Sequence, residues 1–227
     1  MPVVSAPRQL ALALDHTENL TREDFLVGPP NETALAMIES WPDWPDQVIA
    51  LTGPGGSGKS HLASIWAAQS GARFLSARAL PETHLPAELT TGALVVEDIA
   101  DDGLDERALF HLLNLVRQDR AWLLLTARTP PMQWAIALAD LASRLRAVPT
   151  LALTPPDDAL LRAVIVKLFA DRQLAVDESL IGYLVSRIER SFAAARSVVA
   201  LLDQEALRRK RPVNRALAAE LLRDTAL

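Results

Sequence analysis

The chain has 227 residues, 50% of them hydrophobic, with 23 Lys and Arg against 28 Asp and Glu for a net charge of −5. That length allows one compact domain, or a medium one plus a small one, and the lack of cysteine excludes disulfide frameworks, zinc–thiolate sites and thiol chemistry. The acidic balance argues against broad electrostatic binding to nucleic acid, and His16, His61, His84 and His111 show no metal-ligand spacing. No apolar run reaches membrane-spanning length and no charged-then-apolar leader opens the chain, so a soluble, cytoplasmic protein is expected.

Residues 1–20 contain one alternating segment, QLALAL at 9–14, followed by polar DHTENLT. It reads either as an edge strand or as an extended docking peptide. In the second case Leu10, Leu12 and Leu14 enter an apolar pocket while the Gln9 amide hydrogen-bonds at its mouth. NETALAMIES (31–40) has helical spacing, and the prolines of WPDWPD end it before an apolar strand, QVIALT (47–52). Trp41 and Trp44 read as packing at the mouth of that strand.

The next eight residues, GPGGSGKS (53–60), fit G-x-x-x-x-G-K-[ST] directly before the helical stretch HLASIWAAQ. Side chains without a Cβ let backbone N–H groups turn inward, so Gly53, Gly55, Gly56, Ser57 and Gly58 form an anion nest at a helix N-terminus. Lys59 then reaches the β- and γ-phosphates and the Ser60 hydroxyl holds Mg²⁺. The pattern predicts a nucleoside triphosphate site, with a plain glycine-rich turn as the bland alternative.

Further apolar strands follow at ARFLSA (72–77), ALVVEDI (93–99), AWLLLTA (121–127) and VPTLALT (148–154). Between them DERALFHLLNLVRQ (105–118) and MQWAIALADLASRL (132–145) have helical spacing. Strands alternating with helices predict an α/β fold with a parallel sheet covered on both faces. In ALVVEDI, Glu97 and Asp98 end a strand as carboxylates suited to Mg²⁺ and to the attacking water; an acidic turn is the alternative. From Pro155 strands give way to amphipathic helices at 157–174, 177–190, after Ser191, and at 213–224. The predicted organisation is a docking segment at 1–20, a P-loop base domain at 21–154 and a helical lid at 155–227. The basic cluster RRKR (208–211) reads as a solvated helix end.

FLVGPPNETA, GPGGSGKSHL, LVVEDI, LLLTARTPP, LASRL and AARSVVALLDQEAL occur here in the order found in the DnaA-like AAA+ family. The resemblance spans about residues 20–207, and within the family the chain is similar to the short alphaproteobacterial Hda type, which inactivates the initiator DnaA. It implies that Gln9, Leu10, Leu12 and Leu14 dock on the DNA polymerase sliding clamp. By the same resemblance Arg144 is an arginine finger offered in trans, and Arg196 is the lid arginine facing the resident nucleotide. It further implies that Val27, Gly28 and Asn31 border the adenine, Thr126 falls at the sensor position, and Ser60 with Glu97 hold Mg²⁺. The implied ligands are ADP or ATP with Mg²⁺, and the implied partners are the clamp and DnaA. Neither membrane contact nor direct sequence-specific DNA binding is implied, since the helix-turn-helix domain of the initiators has no counterpart here. An autonomous AAA+ ATPase such as a helicase loader is the alternative. The order Glu97–Asp98, with the longer side chain first, departs from the common arrangement and bears on hydrolysis more than on binding.

Overall fold

The computed structural model describes residues 20–80, 85–99 and 104–223, so the 9–14 segment lies outside the described residues. Val48–Thr52 (β1), Arg73–Ser76 (β2), Ala93–Ile99 (β3), Trp122–Ala127 (β4) and Thr150–Ala152 (β5) form one 5-stranded parallel sheet in the order β2-β3-β4-β1-β5. Every residue of β1 is buried, as a strand covered on both faces requires. Alternation then divides the core. Val48 and Ala50 pack with α4 (Glu106–Gln118) and α5 (Ala139–Arg146), while Ile49 and Leu51 pack with α1 (Glu32–Glu39) and α2 (Lys59–Ser70). Trp44 lies in the second cluster, stacked on Trp66 at 4.9 Å between ring centroids, with its Nε1–H donated to the Met37 carbonyl. A short helix, α3 (Leu85–Glu88), follows β2.

The stretch 132–145 is not one helix. A 3-10 turn at Pro131–Gln133 is followed by non-helical chain, and α5 starts only at Ala139. The cause is non-local: the Glu106 carboxylate accepts the backbone N–H groups of Ala137 at 2.9 Å and Leu138 at 2.8 Å. Trp134 donates its indole N–H back to the Thr129 carbonyl. Those bonds fix the segment outside the helical ladder and hold the start of α5 against α4.

Four helices complete the carboxyl-terminal part: α6 (Asp158–Asp171), α7 (Glu178–Val185), α8 (Phe192–Arg209) and α9 (Arg215–Leu221). Asp157, Asp177, Ser191 and Asn214 cap them, each side-chain oxygen accepting a backbone N–H three residues on. Such a cap is worth about 1 kcal/mol. Leu161, Ile165, Phe169, Leu184, Val199 and Leu202 belong to their separate core. The RRKR arginines are paired: Arg208 and Arg209 with Glu205, Arg209 and Arg211 with Glu220. Among the described residues no helix is long and apolar enough to cross a membrane.

Candidate nucleotide-binding site

In a parallel sheet ligands bind beyond the carboxyl ends of the strands. The loop 53–58 leaves β1 at that edge and feeds α2, whose N-cap is Gly58. Gly53, Gly56 and Gly58 all have positive φ, at 152°, 71° and 99°. At two of them space adds to the requirement. A Cβ on Gly53 would lie 2.6 Å from the Leu153 carbonyl oxygen, and one on Gly56 would lie 2.8 Å from the Ala193 Cβ. Gly55 meets nothing nearby and Ser60 is exposed at the start of α2. The Ser57 hydroxyl is buried with no hydrogen-bond partner. Lys59 is 8% exposed and donates its ammonium to the Gly53 and Pro54 carbonyls, both at 2.8 Å. Burial pushes its pKa down, opposed by Asp98 and Glu97 and reinforced by Arg128. An anion laid on the loop would meet backbone donors, a desolvated ammonium and an orphan hydroxyl. The residues fit a polyphosphate.

Sheet order sets what stands beside the loop. β4 is the neighbour of β1, with Leu51 opposite Thr126 and Thr52 opposite Ala127, and β3 is next. The Gly53 N–H bonds the Ala127 carbonyl at 3.2 Å, pinning the loop to the end of β4. On β3 the register with β4 shifts between Val96 and Ile99, and Asp98 sits there at φ 54°. The buried Thr126 hydroxyl accepts the Asp98 N–H at 3.1 Å, so this threonine holds the bulge that carries the acid pair. Glu97 is half-buried and Asp98 exposed. Among the described residues no group of three or more potential ligands could hold a metal alone. Mg²⁺ would therefore be shared between one or two of these carboxylates, Ser60 and the ligand's own phosphates, the usual way of holding that ion.

At the other end of the loop lies a cavity of about 450 Å³. Leu20, Phe25 and Leu26 line it from the amino-terminal side, Gly58 and His61 from α2, Lys167 and Arg172 from α6, and Arg196 from α8. That volume lies in the range of small-molecule sites. Asn31 lines it too, but its amide is committed to the chain before α1. Its Oδ1 accepts the Gly28 N–H at 2.9 Å and its Nδ2 donates to the Leu26 carbonyl at 3.0 Å. Asn31 thus shapes the wall with its backbone neighbours. Val27 is 49% exposed and not part of the lining; Phe25 and Leu26 occupy the wall in its place. His61 donates Nε2–H to the Thr21 carbonyl at 2.7 Å and meets the edge of Phe25, which fixes this segment on α2.

The lid is tied to the base at two points around the cavity. The Phe192 N–H donates to the Gly56 carbonyl at 2.8 Å, so the N-terminus of α8 rests on the phosphate loop. Lys167 of α6 bridges Asp24 of the base and Asp171, both at 2.8 Å. The bridge holds the Asp24 carboxyl below its ordinary pKa and Lys167 above its own.

Arg144 stands elsewhere. It is half-buried in the last turn of α5, bonded to the Asn114 side-chain oxygen, with its guanidinium 4.5 Å from the Phe110 ring centroid. Asp46, Val48, Arg117 and Val148 surround it, which places it at the amino-terminal edge of the sheet, where β1 begins. The phosphate loop is at the opposite edge. The carboxylates, Thr126, Lys59 and the loop therefore form one constellation, the cavity and Arg196 adjoin it, and Arg144 does not.

No protein-family model matches the chain. Among solved structures it is similar to domain III of the replication initiation protein DnaA from Thermotoga maritima, with a TM-score of 0.75 and 18% identity over 90% of this chain and 96% of that one. AMPPCP-bound DnaA from Aquifex aeolicus gives a TM-score of 0.68 at 18% identity, covering 84% of this chain and 68% of the other. The RuvB Holliday junction branch migration motor of T. maritima gives 0.69 at 19%, covering 86% and 68%. The fold is the AAA+ P-loop fold.

Proposed function

We propose that the chain is a nucleotide-binding regulator of the DnaA-like AAA+ group, of the Hda type, that promotes ATP hydrolysis by DnaA while docked on the sliding clamp. One observation carries the reading. The chain has a polyphosphate cradle at one edge of its sheet and an arginine in the family's finger position at the other, too far to serve the same ligand. An arginine so placed acts on a neighbour's phosphates, where its fixed charge stabilises the transition state. Asn114 and Phe110 hold the Arg144 guanidinium in place, which limits the entropy lost on insertion.

In this reading the resident nucleotide, ADP or ATP with Mg²⁺, is mainly a structural ligand. The nest residues and Lys59 bind its phosphates, Arg196 and α6 close over the nucleoside, and the lid is ordered against the base. Gln9, Leu10, Leu12 and Leu14 supply the clamp contact from the amino-terminal segment, and the protein works in the cytoplasm. The AMPPCP-bound DnaA neighbour supports the nucleotide assignment. A second reading, an autonomous ATPase, is favoured by the acid pair whose charge is felt at Lys59.

The discriminating experiment follows conversion of DnaA-bound ATP to ADP with clamp and DNA present. Arg144→Ala should cut the stimulated rate by about 10³-fold, the scale of an arginine finger supplied in trans. Rapid turnover by the wild type without DnaA, or a fully active Arg144→Ala protein, would defeat the regulator reading in favour of the autonomous one.

A further inference from the structure

Arg128 is the first residue after β4, one position beyond the Ala127 carbonyl that holds the Gly53 N–H. Because β4 lies between β1 and β3, its end stands between the phosphate loop and the acid pair. The nucleoside cavity adjoins Gly58, Phe192 and Arg196. A phosphate chain that starts there and crosses the nest therefore runs toward the ends of β4 and β3, and its last phosphate arrives beside Arg128. The side chain is exposed, and among the described residues no carboxylate lies within ion-pair distance of it. Its charge is felt at Lys59, where it opposes protonation. Two cations set near each other at a loop that binds anions form a local conflict, and a further anion relieves it.

Resting on the nucleotide reading above, we infer that Arg128 contacts the terminal phosphate of a bound triphosphate, so that this chain distinguishes ATP from ADP in its own site. Arg128 is thus a specificity residue acting in cis, distinct from Arg144. The guanidinium offers a planar fork of donors to phosphate oxygens and keeps its charge at any physiological pH. A diphosphate ends short of it and gains little.

The test is equilibrium binding of ADP and of the non-hydrolysable AMPPNP, each with Mg²⁺, to wild type, Arg128→Gln and Arg128→Lys. Arg128→Gln should weaken AMPPNP by about tenfold or more, the scale of one charge-assisted hydrogen bond, while ADP changes by less than about twofold. Arg128→Lys should recover part of the AMPPNP loss. Melting without nucleotide should be unchanged in both variants, since the side chain is exposed. Equal losses for both nucleotides, or no loss for either, overturn the inference while leaving the nucleotide site intact. Failure of wild type to bind either nucleotide overturns the site and the inference together.

Discussion

The two edges of the sheet differ in how they are built. At the carboxyl edge Gly53 and Gly56 bring backbone within 3 Å of where a Cβ would stand, Lys59 is buried, and Thr126 holds a bulge. At the amino edge Arg144 lies half-buried against Phe110 and Asn114 among Asp46, Val48 and Val148. One edge is concave and lined with donors, a receptor for a ligand of its own. The other presents a single guanidinium on a rigid helix end, suited to someone else's ligand. Catalytic language applied to this fold has to say which edge is meant.

The largest expected effect lies at the carboxyl edge. Lys59→Ala should weaken ADP by roughly 100-fold or more, since a desolvated charge-assisted contact is lost. Calorimetry would measure it, and the rise in melting temperature with ADP should disappear too. If Lys59→Ala binds ADP like wild type, the loop 53–60 is not the receptor.

Next comes the seat of the lid. Gly56 and Gly71 share φ 71°, yet a Cβ at Gly71 meets nothing within 4 Å. Gly71→Ala should cost only the left-handed penalty, about 1–2 kcal/mol. Gly56→Ala should cost more and weaken nucleotide binding, because the Ala193 contact forces α8 off the loop. Paired thermal melts and ADP titrations measure the difference. Equal costs would mean that α8 does not seat on the loop in solution.

The smallest effect is that of the Asp24–Lys167 bridge, partly exposed and worth about 0.5 kcal/mol. Asp24 has a folded pKa below its ordinary 3.8, so its contribution is complete above that value and fades as pH falls through the folded one. Lys167 is raised above its ordinary 10.5, so its share is complete below that and fades as pH rises through the folded value. Asp24→Asn should therefore lower stability by a constant small amount from about pH 5 to pH 9, and the gap should close only in strong acid. Urea melts across that range check it; a gap that changes near neutrality would implicate another group.

What was legible in the sequence follows the same division. The phosphate loop is a local constraint, eight consecutive residues whose chemistry is spelled by glycine spacing, and the strands around it are apolar runs. Its neighbours could be found as well, because Glu97 and Asp98 end a run of the same kind. The nucleoside cavity could not. Phe25, His61, Lys167 and Arg172 come from three separate segments, and only folding brings them to one wall. Arg128 sat in the quoted LLLTARTPP, but nothing in that string marks it until β4 is seen beside β1. The helix read over 132–145 was mistaken for a like reason. Its spacing is helical, and a carboxylate about thirty residues upstream, Glu106, takes the N–H groups that the first turns would have used.

The separation of the two edges is tested most directly by titrating ADP into wild type and Arg144→Ala side by side in a calorimeter. Arg144 touches no residue of the phosphate loop, so the two proteins should bind ADP with the same affinity and heat. A loss of about tenfold or more in Arg144→Ala would place that arginine in the chain's own site and contradict its role in trans.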